Sequence, residues 1–189
     1  MRRSGVLLPV TSLPSRFGIG TFSKEAYAFV DFLKEAGQKL WQILPLGPTG
    51  YGDSPYQAFS TFAGNPYLID LEELIENGWL TEEECENTDW GGSKSYVDYE
   101  KMYQGRFPLL RKAYHNSHIA ENAEFIAFCE ENDWWLSDYA LFMAIKDSQG
   151  GASFLEWDAP LKLREPEAIR RCRHELSDEI CFWQFLQYL

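Results

Sequence analysis

Two short apolar runs, "GVLLPVTSL" at residues 5–13 and "KLWQILPL" at residues 39–46, enclose a single amphipathic stretch, and this spacing constrains the fold more than any other feature. Each run is closed by breakers, Thr11, Ser12 and Pro14 in the first and Pro45 and Gly47 in the second. Neither is long enough for a helix, and each suits a strand buried on both faces. Between them Ser23 is placed to N-cap a helix, Phe22 and Tyr27 occupy the two positions of a hydrophobic staple, and Gly37 is placed to close the far end. Ala26, Phe29, Val30, Leu33 and Ala36 fall on one helical stripe. Strand, helix and strand in this order predict a right-handed βαβ unit with two neighbouring parallel strands.

Beyond residue 70 the alternation gives way to helical patterns. Thr81-x-x-Glu84 is a capping box, periodic segments run near 99–114 and 121–147, and Pro166 sits at the first position of a last helix. That helix is expected to align Ile169, Cys172, Leu176, Ile180 and Trp183, then to turn apolar almost all round in "CFWQFLQYL" without a glycine cap. Such a helix calls for covering elements that these residues do not supply, as does a sheet of two parallel strands. The expectation is the amino-terminal part of a longer α/β protein. It divides into residues 1–70 with the first βα units and a loop, 71–164 as a helical insertion, and 165–189 as a returning helix.

The chain has 189 residues, 45% of them apolar, enough for a core. A net charge of −12 and a pI near 4.7 speak against nucleic acid and anionic membranes, which need clustered Lys and Arg. A neutral ligand such as a sugar stays open, because it is held by hydrogen bonds and ring contacts. Cys85, Cys129, Cys172 and Cys181 show no C-x-x-C pair or zinc spacing, which predicts reduced thiols and favours the cytosol. The start, "MRRSGVLLPVTSLPS", is broken by Pro9 too early for a signal or a membrane span.

The loop after the second run, "GPTGYGDSPYQAFSTFAGNPY" at residues 47–67, leaves the carboxyl end of a parallel strand, where ligands of α/β folds gather. A tyrosine there can lay its face on a sugar ring while its hydroxyl hydrogen-bonds at the rim. Tyr51 and Tyr56 are therefore read as ligand contacts, with Asp53, Ser54, Gln57 and Asn65 as polar neighbours. Phe59 and Phe62 are read as a small satellite core pinning the loop. Pro48, Pro55 and Pro66 stiffen the path and push Ser54 and Asn65 toward extended backbone. No G-x-x-x-x-G-K-[ST] pattern supports a phosphate cradle. Gly52-Asp53-Ser54 is a poor esterase block, because Pro55 removes an oxyanion N–H and His174 lacks the D-x-x-H setting.

The segments "GVLLPVTSLPS", "FLKEAGQKLWQILPLGPTGYGDSPYQAFSTFAGNPYLIDL" and "WWLSDYALFMAIK" closely resemble the amylomaltases, or 4-α-glucanotransferases, across nearly the whole chain. The resemblance implies the first two strands of a (β/α)8 TIM barrel with a mostly helical insertion subdomain, in a cytoplasmic enzyme that needs no cofactor and no metal. It implies cleavage of an α-1,4-glucan (maltooligosaccharide, starch, glycogen) and transfer of the segment to another glucan with retention. The carboxylates for that chemistry belong to later barrel strands, so this chain is expected to hold no catalytic residue and to be inactive alone. By the same resemblance Ser54 and Tyr56 are donor-side sugar contacts, Asp53 keeps the loop in shape, and Tyr51 with Tyr103 in "VDYEKMY" forms a second glucan-docking pair.

Other features are read plainly. Trp134 and Trp135 point about 100° apart on a helix and are expected to be buried on two sides. His115 and His118 have no third metal ligand nearby and are read as surface residues. Glu72-Glu73, Glu82 to Glu84 and Glu130-Glu131 are assigned to the starts or faces of helices. Readings kept beside the enzyme fragment are a non-catalytic α-glucan-binding module and an amylase-like hydrolase sharing the barrel. Unpaired strand edges, with Trp183, Phe185 and Leu189 lacking partners, predict self-association.

Overall fold

A computed structural model of the chain describes residues 2–50, 52–93 and 95–189. The chain forms two compact units, residues 1–117 and 118–189.

In the first unit β1 (Gly5–Leu7) and β2 (Leu40–Gln42) pair in parallel, with Gly5 opposite Leu40, Val6 opposite Trp41 and Leu7 opposite Gln42. The connection between them is α1 (Lys24–Glu35), so the expected strand, helix and parallel strand are present. Both strands are shorter and more open than expected. Leu7 and Leu40 are exposed, and among the described residues no further strand pairs with this two-stranded sheet. Beyond Leu7 the chain reaches Pro9, which has no N–H for a ladder, and curls into a 3₁₀ turn at Val10–Ser12. Val10, Leu13 and Ala26 form the core there, with Leu8, Phe29, Trp41, Ile43, Leu46 and Leu68 packed around them. The Trp41 indole N–H donates to the Leu8 carbonyl at 2.8 Å.

Gly37 ends α1 as expected. At φ +71° it adopts the left-handed conformation that a β-carbon disfavours, and the Gln38 N–H reaches the Leu33 carbonyl at 2.9 Å while Gly37 N–H reaches Lys34 at 3.1 Å. The start of α1 differs from expectation. Ser23 occupies the cap position, but its hydroxyl donates to Glu25 at 2.7 Å and caps no backbone N–H. Phe22 and Tyr27 are both exposed and make no buried staple, and Val30 and Ala36 also face out, so the buried stripe narrows to Ala26 and Leu33.

The remainder of this unit is helical: α2 (Leu71–Glu76), α3 (Glu82–Glu86) and α4 (Tyr99–Ser117). Asp70 caps α2 by accepting from the Glu72 N–H at 3.1 Å. Thr81 and Glu84 form the reciprocal capping box of α3, at 3.3 and 2.9 Å. Exposed ion pairs hold α3: Arg16 with Glu82 and Glu86 at 2.6 Å each, and Lys112 with Glu84. The face of α4 carrying Met102 packs on Ile19 and Tyr67, flanked by Trp90, Val97, Tyr99 and Phe107.

The second unit contains α5 (Ala123–Glu131), α6 (Asp133–Ser148), α7 (Ala159–Lys162), α8 (Pro166–Glu175) and α9 (Ser177–Tyr188). The segment expected as one helix over 121–147 breaks at Asn132, whose side chain donates to the Phe128 carbonyl at 2.9 Å and accepts from the Trp135 indole at 3.1 Å. A side chain that competes for backbone partners in this way favours termination. The last helix is also divided, at Leu176 (φ −108°, ψ 22°), where nothing local in the sequence signals a break. Trp183 and Phe185 are buried, the latter with 0% exposure, and not unpartnered as expected. The apolar sides of α9 are covered by α5, α6 and α8 of the same unit. The Trp183 indole donates to Asp147 at 2.8 Å, and Tyr188 sets its ring against Phe125 and Phe128 at 5.6 Å from each.

Trp134 is 68% exposed, against the expectation of burial, because it follows the first residue of α6 on the outward side while Trp135 turns toward Tyr139. His115 and His118 are exposed. Glu72, Glu73 and Glu82 to Glu84 open their helices, whereas Glu130 and Glu131 close α5. All four cysteines are free thiols, and burial pushes Cys85 up to about 11. No helix among the described residues is long and apolar enough to cross a membrane.

Candidate functional site

The site lies just past the carboxyl ends of both strands. Leaving β1, the chain supplies Pro9, Val10 and Thr11; leaving β2 it supplies Leu44, Pro45 and Leu46. These line a cavity of about 90 Å³ together with Thr49, Asp53, Pro55, Asn65, Tyr67, Leu68 and Tyr99. Opposite ends of the loop meet here. The Asn65 N–H donates to the Leu46 carbonyl at 2.9 Å, so residues 47–64 form one closed excursion. Asn65 is extended (φ −80°, ψ 118°), as its place before Pro66 dictates, and its side chain accepts from the Tyr67 N–H at 3.0 Å to start a 3₁₀ turn at Pro66–Leu68.

Within the excursion the chain is tightly folded. Asp53 sits at φ +51°, a conformation that Asp tolerates better than most residues, and its N–H donates to the Gly50 carbonyl at 3.1 Å. Its carboxylate accepts from the Thr49 hydroxyl at 3.3 Å. The next turn is closed by the Gln57 N–H on the Ser54 carbonyl at 3.1 Å. Ser60 then accepts from the N–H groups of Phe62 (3.4 Å) and Ala63 (3.1 Å). The two limbs touch at Gly47, where a β-carbon would come within 2.9 Å of that of Ala58.

Asp53 is the acid of the cavity. Burial raises its pKa above the ordinary carboxylate value, against the opposing Thr49 hydrogen bond. Its charge in turn acts on Tyr67 and Tyr99, whose phenols are raised first by burial and then by Asp53. Tyr99 lines the cavity together with Thr11, which brings the start of α4 beside the exit of β1. Hydroxyls and one carboxylate on an apolar floor make a surface suited to polar, uncharged ligands.

Beside this cavity runs an open groove of about 640 Å³, lined by Pro45, Leu46, Gly47, Pro55, Tyr56, Ala58, Ser60, Thr61, Phe62, Ala63 and Gly64. Tyr56, read from the sequence as a ligand contact, is 74% exposed on its rim. Phe59 and Phe62 are exposed too, at 41% and 58%, and so do not form the buried satellite core expected. Ser54 is half-buried between Asp53 and Pro55, each of which lines the cavity. Tyr103 stands on α4, 62% exposed, with its ring 5.3 Å from that of Phe107. Tyr51 lies outside the described residues. Sequence reasoning missed Thr49, Thr11, Tyr67 and Tyr99. Thr49 could have been found from its place four residues before Asp53; Tyr99 could not, because only the tertiary fold brings it to the loop. Among the described residues no group of three or more His, Cys, Asp or Glu is placed to hold a metal ion.

A family model described as 4-alpha-glucanotransferase matches residues 8–189. The chain belongs to the 4-alpha-glucanotransferase family. It is 47% identical over 192 residues to the 4-alpha-glucanotransferase of Thermus thermophilus and 46% identical over 179 residues to that of Clostridium butyricum, matches that cover 100% and 95% of this chain. In each case the match covers 37% of the relative, so this chain spans little more than a third of the length of the family members it resembles. Among solved structures, the amylomaltase from Streptococcus agalactiae in complex with acarbose is similar over 100% of this chain and 38% of its own, with a TM-score of 0.94 and 45% identity. The amylomaltase from Corynebacterium glutamicum shares the fold over 98% of this chain and 26% of its own, with a TM-score of 0.70 at 18% identity.

Proposed function

We propose that this chain is the amino-terminal part of a 4-α-glucanotransferase and forms one wall of its glucan cleft. The observation that carries the reading is the coincidence of a family match over residues 8–189 with a polar cavity and an aromatic-rimmed groove at the carboxyl ends of two parallel strands. The whole enzyme transfers a segment of an α-1,4-glucan, from maltooligosaccharides, starch or glycogen, to another glucan with retention. Retention needs a nucleophilic carboxylate and an acid about 5–5.5 Å apart. Those two carboxylates are carried by the rest of a (β/α)8 barrel of which residues 1–70 supply the first two strands, residues 71–164 a helical insertion, and residues 165–189 the return.

In this division of labour the present residues bind and orient. Tyr56 offers its ring to the apolar face of a glucose unit, Ser54 a hydroxyl to its edge, and Asp53 holds the turn that presents both. Tyr51 and Tyr103 form a second contact for a longer glucan. No cofactor or metal takes part. The four free thiols suit a reducing compartment and support a cytoplasmic location. The test uses the full-length enzyme with maltotriose: glucose and longer maltodextrins are expected, and Tyr56→Ala is expected to raise KM by about tenfold, equivalent to losing one good ring contact. Residues 1–189 alone should give no such products; steady turnover absent from a mock preparation would overturn that division.

A further inference from the structure

Arg106 is fully buried in α4, with 0% exposure. Its Nη2 donates to the carbonyl of Ile69, while Nε and Nη1 are buried without a hydrogen-bond partner. Burial depresses its pKa, and Asp70 is the first of the groups that act the other way. An apolar side chain of similar length would fill the same space without desolvating a cation, since buried charges cost stability even when paired. The guanidinium therefore calls for a reason beyond packing, and its one acceptor supplies it.

Ile69 follows the Pro66–Leu68 turn, so its carbonyl lies at the end of the segment that carries Asn65 and Tyr67 into the cavity. Arg106 lies three residues after Tyr103 on α4, one helical turn along the same side. Next to it Phe107 touches both partners, with its ring 5.3 Å from Tyr103 and 6.1 Å from Tyr67. One hydrogen bond thus ties the return of the loop to the helix that bears Tyr103.

We infer that Arg106 is a positioning residue which fixes the Asn65–Ile69 return against α4 and so sets the separation between the Tyr56 rim and Tyr103 that a long glucan must span. The inference rests on the glucan reading above and concerns only how two of its contact regions are kept in register. A short donor bound at the rim alone is indifferent to that register, whereas a long one feels it.

The test is steady-state kinetics of the full-length enzyme with maltotriose and with a long maltodextrin, for the parent, Arg106→Met and Arg106→Lys. Folded protein is counted by near-UV circular dichroism. Arg106→Met is expected to raise KM for the long glucan about tenfold, with KM for maltotriose and kcat per folded enzyme within about twofold. Arg106→Lys keeps one donor for the Ile69 carbonyl and is expected to limit the rise to about threefold. Folded Arg106→Met with an unchanged KM for the long glucan, or equal rises for both glucans, overturns the inference. If Arg106→Met does not accumulate as folded protein, Arg106→Lys decides, a threefold rise supporting and an unchanged KM overturning. A parent enzyme inactive on both glucans would instead remove the glucan reading itself.

Discussion

The Asn65 N–H donates to the Leu46 carbonyl at 2.9 Å, a bond that fastens the far end of an eighteen-residue excursion (47–64) to the exit of β2. Because the loop starts and finishes at one point, its interior turns can be rigid without help from a second layer. Its function then depends on how closely its two limbs approach.

Gly47→Ala tests that approach. The new β-carbon would lie 2.9 Å from that of Ala58, so one limb must move. In the full-length enzyme the expected outcome is a severalfold rise in KM for maltooligosaccharides, reversed by the double variant Gly47→Ala/Ala58→Gly. Absence of rescue would show that the two limbs are not coupled at this contact.

Asp53 predicts a pH dependence of known sign. Its folded-state pKa is raised by burial, so the folded protein holds this proton more tightly than the unfolded chain does. Its contribution to stability therefore falls as pH rises from the ordinary carboxylate value through the raised one, and stays unfavourable above. Asp53→Asn keeps an acceptor for Thr49 and removes the titration. Denaturant melts should show the stability of the Asp53→Asn variant relative to the parent increasing across that window; a constant difference would contradict the assignment. Asp53→Ala should instead lose about 1 kcal/mol from the left-handed backbone alone.

Thr81→Ala should remove one half of the α3 capping box and cost about 1 kcal/mol in chemical denaturation, whereas Thr81→Ser should be close to neutral. Equal losses for both would mean that the hydroxyl is not the capping atom.

Phe185→Ala removes a ring with no solvent exposure from the packing of α9 and is expected to cost about 3–5 kcal/mol, read as a lower denaturation midpoint. Leu189→Ala, at a half-buried end, should cost far less.

Self-association of residues 1–189 is expected through the exposed strand residues Leu7 and Leu40, since Trp183 and Phe185 are already covered within their own unit. Light scattering should show species larger than a monomer that vanish in Leu7→Lys/Leu40→Lys; a clean monomer in the parent would refute this.

The parts legible from sequence are those fixed by local chemistry. Apolar runs closed by proline and glycine mark β1 and β2, Gly37 marks the end of α1, and Thr81 with Glu84 marks the start of α3, because each acts within a few residues. Length and burial of the strands were not legible, since they depend on neighbours supplied from elsewhere. The break at Asn132 needed knowledge of which side-chain bonds it would choose, and the burial of Trp183 depended on helices distant in sequence. At the site, Tyr56 and Asp53 could be read from their position after β2 and from family resemblance. Tyr99 and Arg106 could not, because a helix far along the chain brings them to the loop.

That helix has one further implication. Arg106 donates to the Ile69 carbonyl just before α2, and Met102 on the same helix packs on Ile19 and Tyr67, so α4 is held to the segment behind the cavity by a polar and an apolar contact at once. Residues 71–98 thereby leave and rejoin one fixed frame, and Trp90 and Val97 at their end are packed into it.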